Sequence, residues 1–168
     1  MDAKKQTELF PAFAQNLASR GCFLVTGTLE KPNVMTVGWS TAGVMWGKQV
    51  LMVPVRLSRY SHELLEQTGQ FTICVPSPEQ PFLKELGVVG SKSGRDMDKF
   101  AELNLKALPS EQVSAPRIEG TGEVYECSVL YKLEMTEANL DQAIRDRYYA
   151  AADYHTLYFA EILCCHKF

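Results

Sequence analysis

The stretch Gln49-Val50-Leu51-Met52-Val53-Pro54-Val55-Arg56-Leu57-Ser58-Arg59-Tyr60-Ser61-His62-Glu63-Leu64-Leu65-Glu66-Gln67-Thr68 reads as a strand that runs straight into a helix. Val50, Leu51, Met52, Val53 and Val55 form a continuous apolar run, as expected of a strand buried on both faces. The helical pattern that follows is closed by Gly69, which suits a left-handed C-terminal position. Ser58 is the expected N-cap, with Arg59 at the first helical position. Two guanidinium groups and two or three hydroxyls then surround unpaired backbone N–H groups at the positive end of a helix dipole. Such a corner suits a phosphate. An ordinary capped helix with two solvated arginines fits the same residues, and both readings stay open on local grounds.

Working outward, the preceding strand is expected over Val34 to Thr41. Its Thr36, Ser40 and Thr41 sit among bulky apolar neighbours, and Gly38 marks a bulge or a close approach. Either a sheet edge or a pocket wall fits that pattern. Gly43 to Lys48 is the expected connection, with Trp46 assigned to packing. Upstream, Glu8 to Arg20 reads as a short helix ended by Gly21. Cys22 to Leu29 reads as the first strand, followed by a turn at Glu30-Lys31-Pro32-Asn33.

Downstream, Gln70 to Pro76 is the next strand, and Gln80 to Leu86 a short helix with proline near its start. Gly87 to Gly94 reads as a flexible, hydroxyl-rich loop that lacks the G-x-x-x-x-G-K-[ST] order of a Walker A segment. Asp96 to Leu103 looks helical, with Asp96 as cap and Met97, Phe100 and Leu103 along one side. Leu105 to Leu108 is a candidate short strand. Val124 to Thr136 shows the cleanest alternation, with Leu130 the one apolar residue in its polar series. It is expected to be a long antiparallel strand with one buried face. Asn139 to Ala152 reads as helix. Thr156 to Cys165 reads as a final strand, whose inward series Glu161 interrupts.

Six or seven strands with short helices between them favour a small, mainly β barrel over a parallel α/β sheet. No G-x-G-x-x-G follows a strand, so a Rossmann dinucleotide domain is not expected. The 168 residues fit one domain spanning 1–168. A net charge of −3 and a pI near 5.6 argue against nucleic-acid binding. No apolar run approaches the roughly 20 residues of a membrane span, and no apolar segment follows Met1 to Gln6, so a cytoplasmic protein is expected.

The five cysteines, Cys22, Cys74, Cys127, Cys164 and Cys165, form no C-x-x-C pair. Cys164-Cys165-His166 invites a chelating reading. On a strand, however, adjacent thiols point to opposite faces and do not easily share one ion. Buried or edge thiols in a reducing compartment are the expected account, and no metal site is expected.

With these elements placed, the chain resembles the flavin reductase-like family, especially its flavoredoxin-type branch. Three stretches carry the resemblance: Asn33-Val34-Met35-Thr36-Val37-Gly38-Trp39-Ser40, Val53-Pro54-Val55-Arg56-Leu57-Ser58-Arg59-Tyr60-Ser61, and Gly90-Ser91-Lys92-Ser93-Gly94-Arg95-Asp96-Met97-Asp98-Lys99-Phe100. Tyr154-His155-Thr156-Leu157-Tyr158-Phe159-Ala160-Glu161-Ile162 is a weaker fourth. The four occur in the family's order and together span most of the chain from residue 22 onward.

The resemblance implies an FMN-binding split β-barrel that forms a homodimer, with each flavin near the subunit interface. It implies that Arg56, Ser58, Arg59 and Ser61 hold the phosphate, the same corner read above from the residues. Thr36, Trp39, Ser40 and Thr41 would line the ribityl chain and one edge of the ring, and Ser91, Lys92 and Ser93 would offer donors to the ring or ribityl oxygens. His155 would lie near the face where a nicotinamide docks, as a catalytic residue or as a histidine hydrogen-bonded at a strand start. Ala160 stands where the family commonly has glycine. Three functions then compete. The first is an NAD(P)H-dependent flavin or FMN reductase. The second is an FMN electron carrier serving a redox protein partner without direct use of NAD(P)H. The third is a non-enzymatic flavin- or haem-binding module.

Overall fold

The computed structural model describes residues 10–168. The first expected helix appears as α1, Pro11–Ser19, with proline in its first turn. The expected start of that helix at Glu8, and the segment Met1 to Gln6, lie outside the described residues. The chain continues through β1 (Cys22–Gly27), β2 (Pro32–Val37), β3 (Thr41–Met45), β4 (Lys48–Arg56), α2 (Tyr60–Thr68), β5 (Gln70–Val75), α3 (Leu83–Ser91) and α4 (Lys99–Glu102). It ends with β6 (Ala107–Leu108), β7 (Arg117–Ile118), β8 (Glu123–Glu134), α5 (Gln142–Tyr148) and β9 (His155–Lys167). Seven strands form one sheet in the order β2-β1-β5-β8-β9-β4-β3, and β6 and β7 pair separately. Every pairing is antiparallel. The mainly β architecture expected from the sequence is present.

The apolar run of β4 is buried as its pattern requires: Leu51, Val53 and Val55 are fully enclosed with Leu24, Phe71, Ile73 and Tyr125 in the main core. A second core, around Phe23, Val34, Leu86 and Val89, holds α3 against β1 and β2. The register between β4 and β9 ends with Arg56 opposite His155. That pairing brings the last residue of β4, the start of α2 and the first residue of β9 to one end of the sheet.

Several expected boundaries move, each for a local reason. The strand expected over 34–41 ends at Val37, and β3 begins only at Thr41. The expected connection over 43–48 is a hairpin instead. Trp46 and Gly47 turn it with φ of 54° and 70°, the positive values that match a two-residue turn to strand twist. Trp46 is therefore not core packing. It is 56% exposed and meets the Tyr131 ring at 6.2 Å.

The loop expected over 87–94 is largely helix, since α3 runs to Ser91. Its Gly90 serves close packing: a Cβ there would stand 3.2 Å from the Thr36 side chain. The expected cap Asp96 is replaced by Asp98, whose carboxylate accepts the N–H groups of Phe100 and Ala101. The helix expected over 139–152 is reduced to α5, capped by Asp141.

β8 does not bury one face along its length. Residues 123–127 are buried on both faces and residues 130–134 are exposed on both. Leu130, anomalous in the alternation, falls in a register shift between Val129 and Tyr131. One extra residue there accounts for the broken period. Glu161 takes a partner, both its oxygens receiving the Lys48 ammonium at 2.8 Å.

Candidate functional site

The turn from β4 into α2 opens onto a cavity of about 330 Å³. Four cationic side chains, Arg56, Arg59, Lys92 and Lys99, and one carboxylate, Asp153, contribute to its lining. The helix starts at Tyr60 with Arg59 as the N-cap residue, and no side chain caps it. The expected cap Ser58 is engaged elsewhere. Its hydroxyl donates to Asp153 Oδ2 at 2.7 Å and its N–H to Oδ1 at 3.2 Å. His62 N–H goes to the Arg59 carbonyl at 3.0 Å, and the other first-turn donors of α2 have no side-chain cap and lie beside an excess of positive charge, an arrangement that suits an anion.

The two arginines differ. Arg56 is committed to the 148–153 segment: it donates to the carbonyls of Asp153 and Tyr148 and lies over the Tyr149 ring at 5.1 Å. Among the described residues the Arg59 guanidinium makes one hydrogen bond, to the Gly90 carbonyl at 2.6 Å, which leaves most of its donor fork open. Ser61 is buried, and its Oγ accepts from Asn33 Nδ2 at 2.8 Å. Asn33 lines this cavity, and its buried Oδ1 is an acceptor without a hydrogen-bond partner among the described residues. A ribityl-type hydroxyl would satisfy it.

Lys99 was not singled out from the sequence, although it lies within a stretch quoted for the resemblance. Its side chain is only 5% exposed, and its ammonium donates to the carbonyls of Val34 and Val89 at 2.7 and 3.1 Å. Burial, reinforced by the Arg59 charge, pushes its pKa down to about 8. Among the described residues it is a cation without a carboxylate partner, and it lines the cavity with Arg56, Arg59 and Lys92.

A second recess of about 220 Å³ adjoins the first and shares Met35, Arg56 and Arg59 with it. Thr36, Gly38, Trp39, Pro54 and His155 complete much of its wall. Trp39 is 46% exposed, its ring 5.1 Å from Tyr148 and 5.6 Å from His155. His155 Nδ1 and the Tyr149 hydroxyl are hydrogen-bonded at 2.8 Å. Burial, with the Arg56 charge beside it, pushes the His155 pKa down to about 4. The ring is therefore neutral near pH 7 and can present an aromatic, hydrogen-bonding wall without carrying charge.

The structure thus brings together Arg56, Ser58, Arg59, Ser61, Ser91, Lys92 and Ser93 around the first cavity, and Thr36, Trp39 and His155 around the second. Some hydroxyls are already engaged within the protein. Thr36 donates to the Leu86 carbonyl at 2.5 Å, Ser40 to the Met52 carbonyl at 2.6 Å, and Ser91 to carbonyls of its own helix. Neither Ser40 nor Thr41 is brought to either space. Thr41 lies on β3 opposite Met52 and lines a separate shallow groove with Val44 and Phe159. Asp153 and Lys99 complete the site, and Asp153 stands in no periodic pattern or motif of the sequence.

The family model described as "Flavin reductase like domain" matches residues 15–167. An uncharacterized protein of Archaeoglobus fulgidus is 31% identical over 141 residues, which cover 84% of this chain and 68% of that protein. Among solved structures, the flavoredoxin of Desulfovibrio vulgaris (Miyazaki F) superposes with a TM-score of 0.69 at 23% identity, over 88% of this chain and 69% of that one. An NADH:FAD oxidoreductase of Streptomyces globisporus C-1027 gives 0.66 at 19% identity, over 89% and 76%. At such identities the two structures establish the fold.

Proposed function

The chain belongs to the flavin reductase-like family, and we propose that it is a single-domain FMN-binding oxidoreductase that takes electrons from NAD(P)H and passes them to flavin or a downstream acceptor. The observation that carries this is the continuity of two spaces, a cationic cavity at a helix start and a recess walled by Trp39 and His155. FMN, when bound, supplies the hydride and electron transfer itself. Arg59, Lys92 and Lys99, with the first N–H groups of α2, would hold the phosphate. Asn33 Oδ1 would accept a ribityl hydroxyl. Neutral His155 and the half-exposed Trp39 would bound the face open to a donor. The name of the Streptomyces relative, an NADH:FAD oxidoreductase, supports the reductase reading.

The alternative is an electron carrier that exchanges electrons with a redox protein partner, and the likeness to a flavoredoxin favours it. Anaerobic mixing with NADH and NADPH separates the two. Bleaching of the protein-bound flavin by either nucleotide supports the reductase. Persistent colour with nucleotide, together with bleaching by a reduced ferredoxin-like donor, supports the carrier. A homodimer is part of the same proposal. Trp46, Tyr131 and Leu133 are exposed, the Trp46 and Tyr131 rings 6.2 Å apart, and a second copy would cover them.

A further inference from the structure

At the far end of β9 from the flavin corner, three metal-ligating atoms converge. Glu111, Cys164 and His166 each offer one, and all lie within 4.8 Å of one another. Cys164 Sγ is 3.3 Å from His166 Nε2, which is 3.9 Å from Glu111 Oε1. Ligands about 2.0–2.3 Å from a tetrahedral zinc ion stand roughly 3.3–3.7 Å from one another. Of the three separations, one lies in that range at 3.3 Å, one just beyond it at 3.9 Å, and the third is within 4.8 Å, so small side-chain rotations close the shell.

The fold builds this arrangement. A register shift next to Glu126 leaves Leu163 outside the ladder, so that Glu126 pairs with Cys164 while Cys127 pairs with Ile162. Bulges of this kind re-aim side chains. Cys164 and His166, two apart, share one face, while Cys165 between them packs against the core. The two thiols do diverge, as the sequence suggested, and the cluster needs only one of them. Glu111 comes from the loop after β6, and its own backbone fixes it there. The buried Glu126 carboxylate accepts N–H groups from Glu111 at 3.0 Å and from Gln112 at 2.6 Å. His166 is further held by the Phe168 ring stacked 6.0 Å away.

We propose that Glu111, Cys164 and His166 form a binding site for a borderline-soft divalent cation of the zinc type. The thiolate and imidazole select against magnesium and calcium, which take oxygen ligands. The fourth position falls to water on the solvent side, where the Glu111 side chain is 66% exposed and leaves an entry path. Occupation takes Nε2 away from Glu126 Oε1, now 3.2 Å from it. Glu126 keeps its two backbone donors and becomes an oriented carboxylate behind the site. The Cys164 thiol proton leaves to solvent as the metal–sulfur bond forms. The cation would tie the loop carrying Glu111 to the sheet. His155 and His166 are eleven residues apart on one strand, roughly 35 Å, so the site is separate from the flavin cavity and does not depend on it.

The test is zinc titration of tag-free, flavin-loaded protein against a competing chromophoric chelator, with wild type, Cys164→Ser and His166→Gln in parallel. One equivalent per chain, weakened in each variant by at least the roughly 10- to 100-fold that loss of an outer-shell partner costs, while flavin content stays unchanged, is the expected result. No zinc uptake by wild type, or equal uptake by all three proteins, overturns the proposal. Cobalt(II) offers a second readout that does not require the variants to fold. A thiolate-to-cobalt charge-transfer band in the wild-type difference spectrum is expected, and its absence overturns the assignment of Cys164 as a ligand.

Discussion

Ser58 Oγ donates to Asp153 Oδ2 at 2.7 Å, and the Ser58 N–H donates to the other oxygen of the same carboxylate. The hydroxyl and amide that the sequence assigns to a phosphate are thus held by an internal anion from the segment before β9. Asp153 also stands 3.9 Å from Arg56. A phosphate entering the cavity meets this charge, so Asp153 weakens the site it helps to shape. Asp153→Asn keeps one acceptor for the Ser58 N–H, replaces the other oxygen with an NH2 donor to which the Ser58 hydroxyl must turn as acceptor, and removes the charge. FMN should bind about fivefold tighter, the order of one like charge removed from a partly solvated site (~1 kcal/mol). Fluorescence titration with FMN reads this directly, and unchanged or weaker binding contradicts it.

Lys99 gives the site a pH dependence. Its folded pKa lies near 8 against an ordinary 10.5, through burial first and the Arg59 charge second. Above pH 8 the flavin-free protein sheds this charge, and an arriving phosphate must restore it. FMN affinity should therefore fall as pH rises from 8 towards 10.5. In Lys99→Met that decline should flatten while binding weakens throughout. A wild-type affinity that is level across this window removes Lys99 from the anion site.

His155 acts on stability instead. Its folded pKa lies near 4 against an ordinary 6.5. Between those values the unfolded chain takes up a proton that the folded chain refuses. Stability present above pH 6.5 is consequently lost as pH falls towards 4, by about 3 kcal/mol from this residue. Urea midpoints across that window should drop less in His155→Gln than in wild type. Parallel declines would place the acid sensitivity elsewhere.

Gly94 tests the packing beneath the cavity. A Cβ there would lie 2.0 Å from Asn33 Oδ1. Asn33 cannot easily withdraw, because its Nδ2 bonds both Thr26 and Ser61 in the interior. Gly94→Ala should cost about 1–3 kcal/mol and lower FMN affinity through the displaced Ser61. Thermal melting and flavin titration together check both effects, and a variant as stable as wild type contradicts the packing account.

How far the site was legible in the sequence follows from the range of the interactions involved. The β4–α2 corner was readable because an apolar run, two arginines and a closing glycine are adjacent in the chain. Gly69 does close α2 in the left-handed conformation, with φ of 62°. Gly87 and Gly90 misled, since glycines suggest a loop when their partner is out of sight. Here Gly90 lets α3 approach Thr36, more than 50 positions earlier in the chain. Lys99 reads as a surface lysine until β2 and α3 are folded over it. Asp153 became part of the site only through the pairing of Arg56 with His155, which carries the preceding segment across the cavity mouth. Thr41 failed for a similar reason. The chain breaks from strand after Val37, and β3, at the opposite edge of the sheet from β2, carries Thr41 into a groove with Val44 and Phe159.

The central claim is that the cationic start of α2 grips a phosphate, and comparative titration with FMN and riboflavin tests it most directly. The two ligands share the ring and ribityl chain and differ only in the phosphate group. FMN should bind far more tightly than riboflavin to the wild-type protein. Arg59→Ala should erase roughly 10- to 100-fold of that advantage, the range for hydrogen bonds to a charged group, while riboflavin binding stays level. Equal affinities for FMN and riboflavin in the wild-type protein would contradict the account.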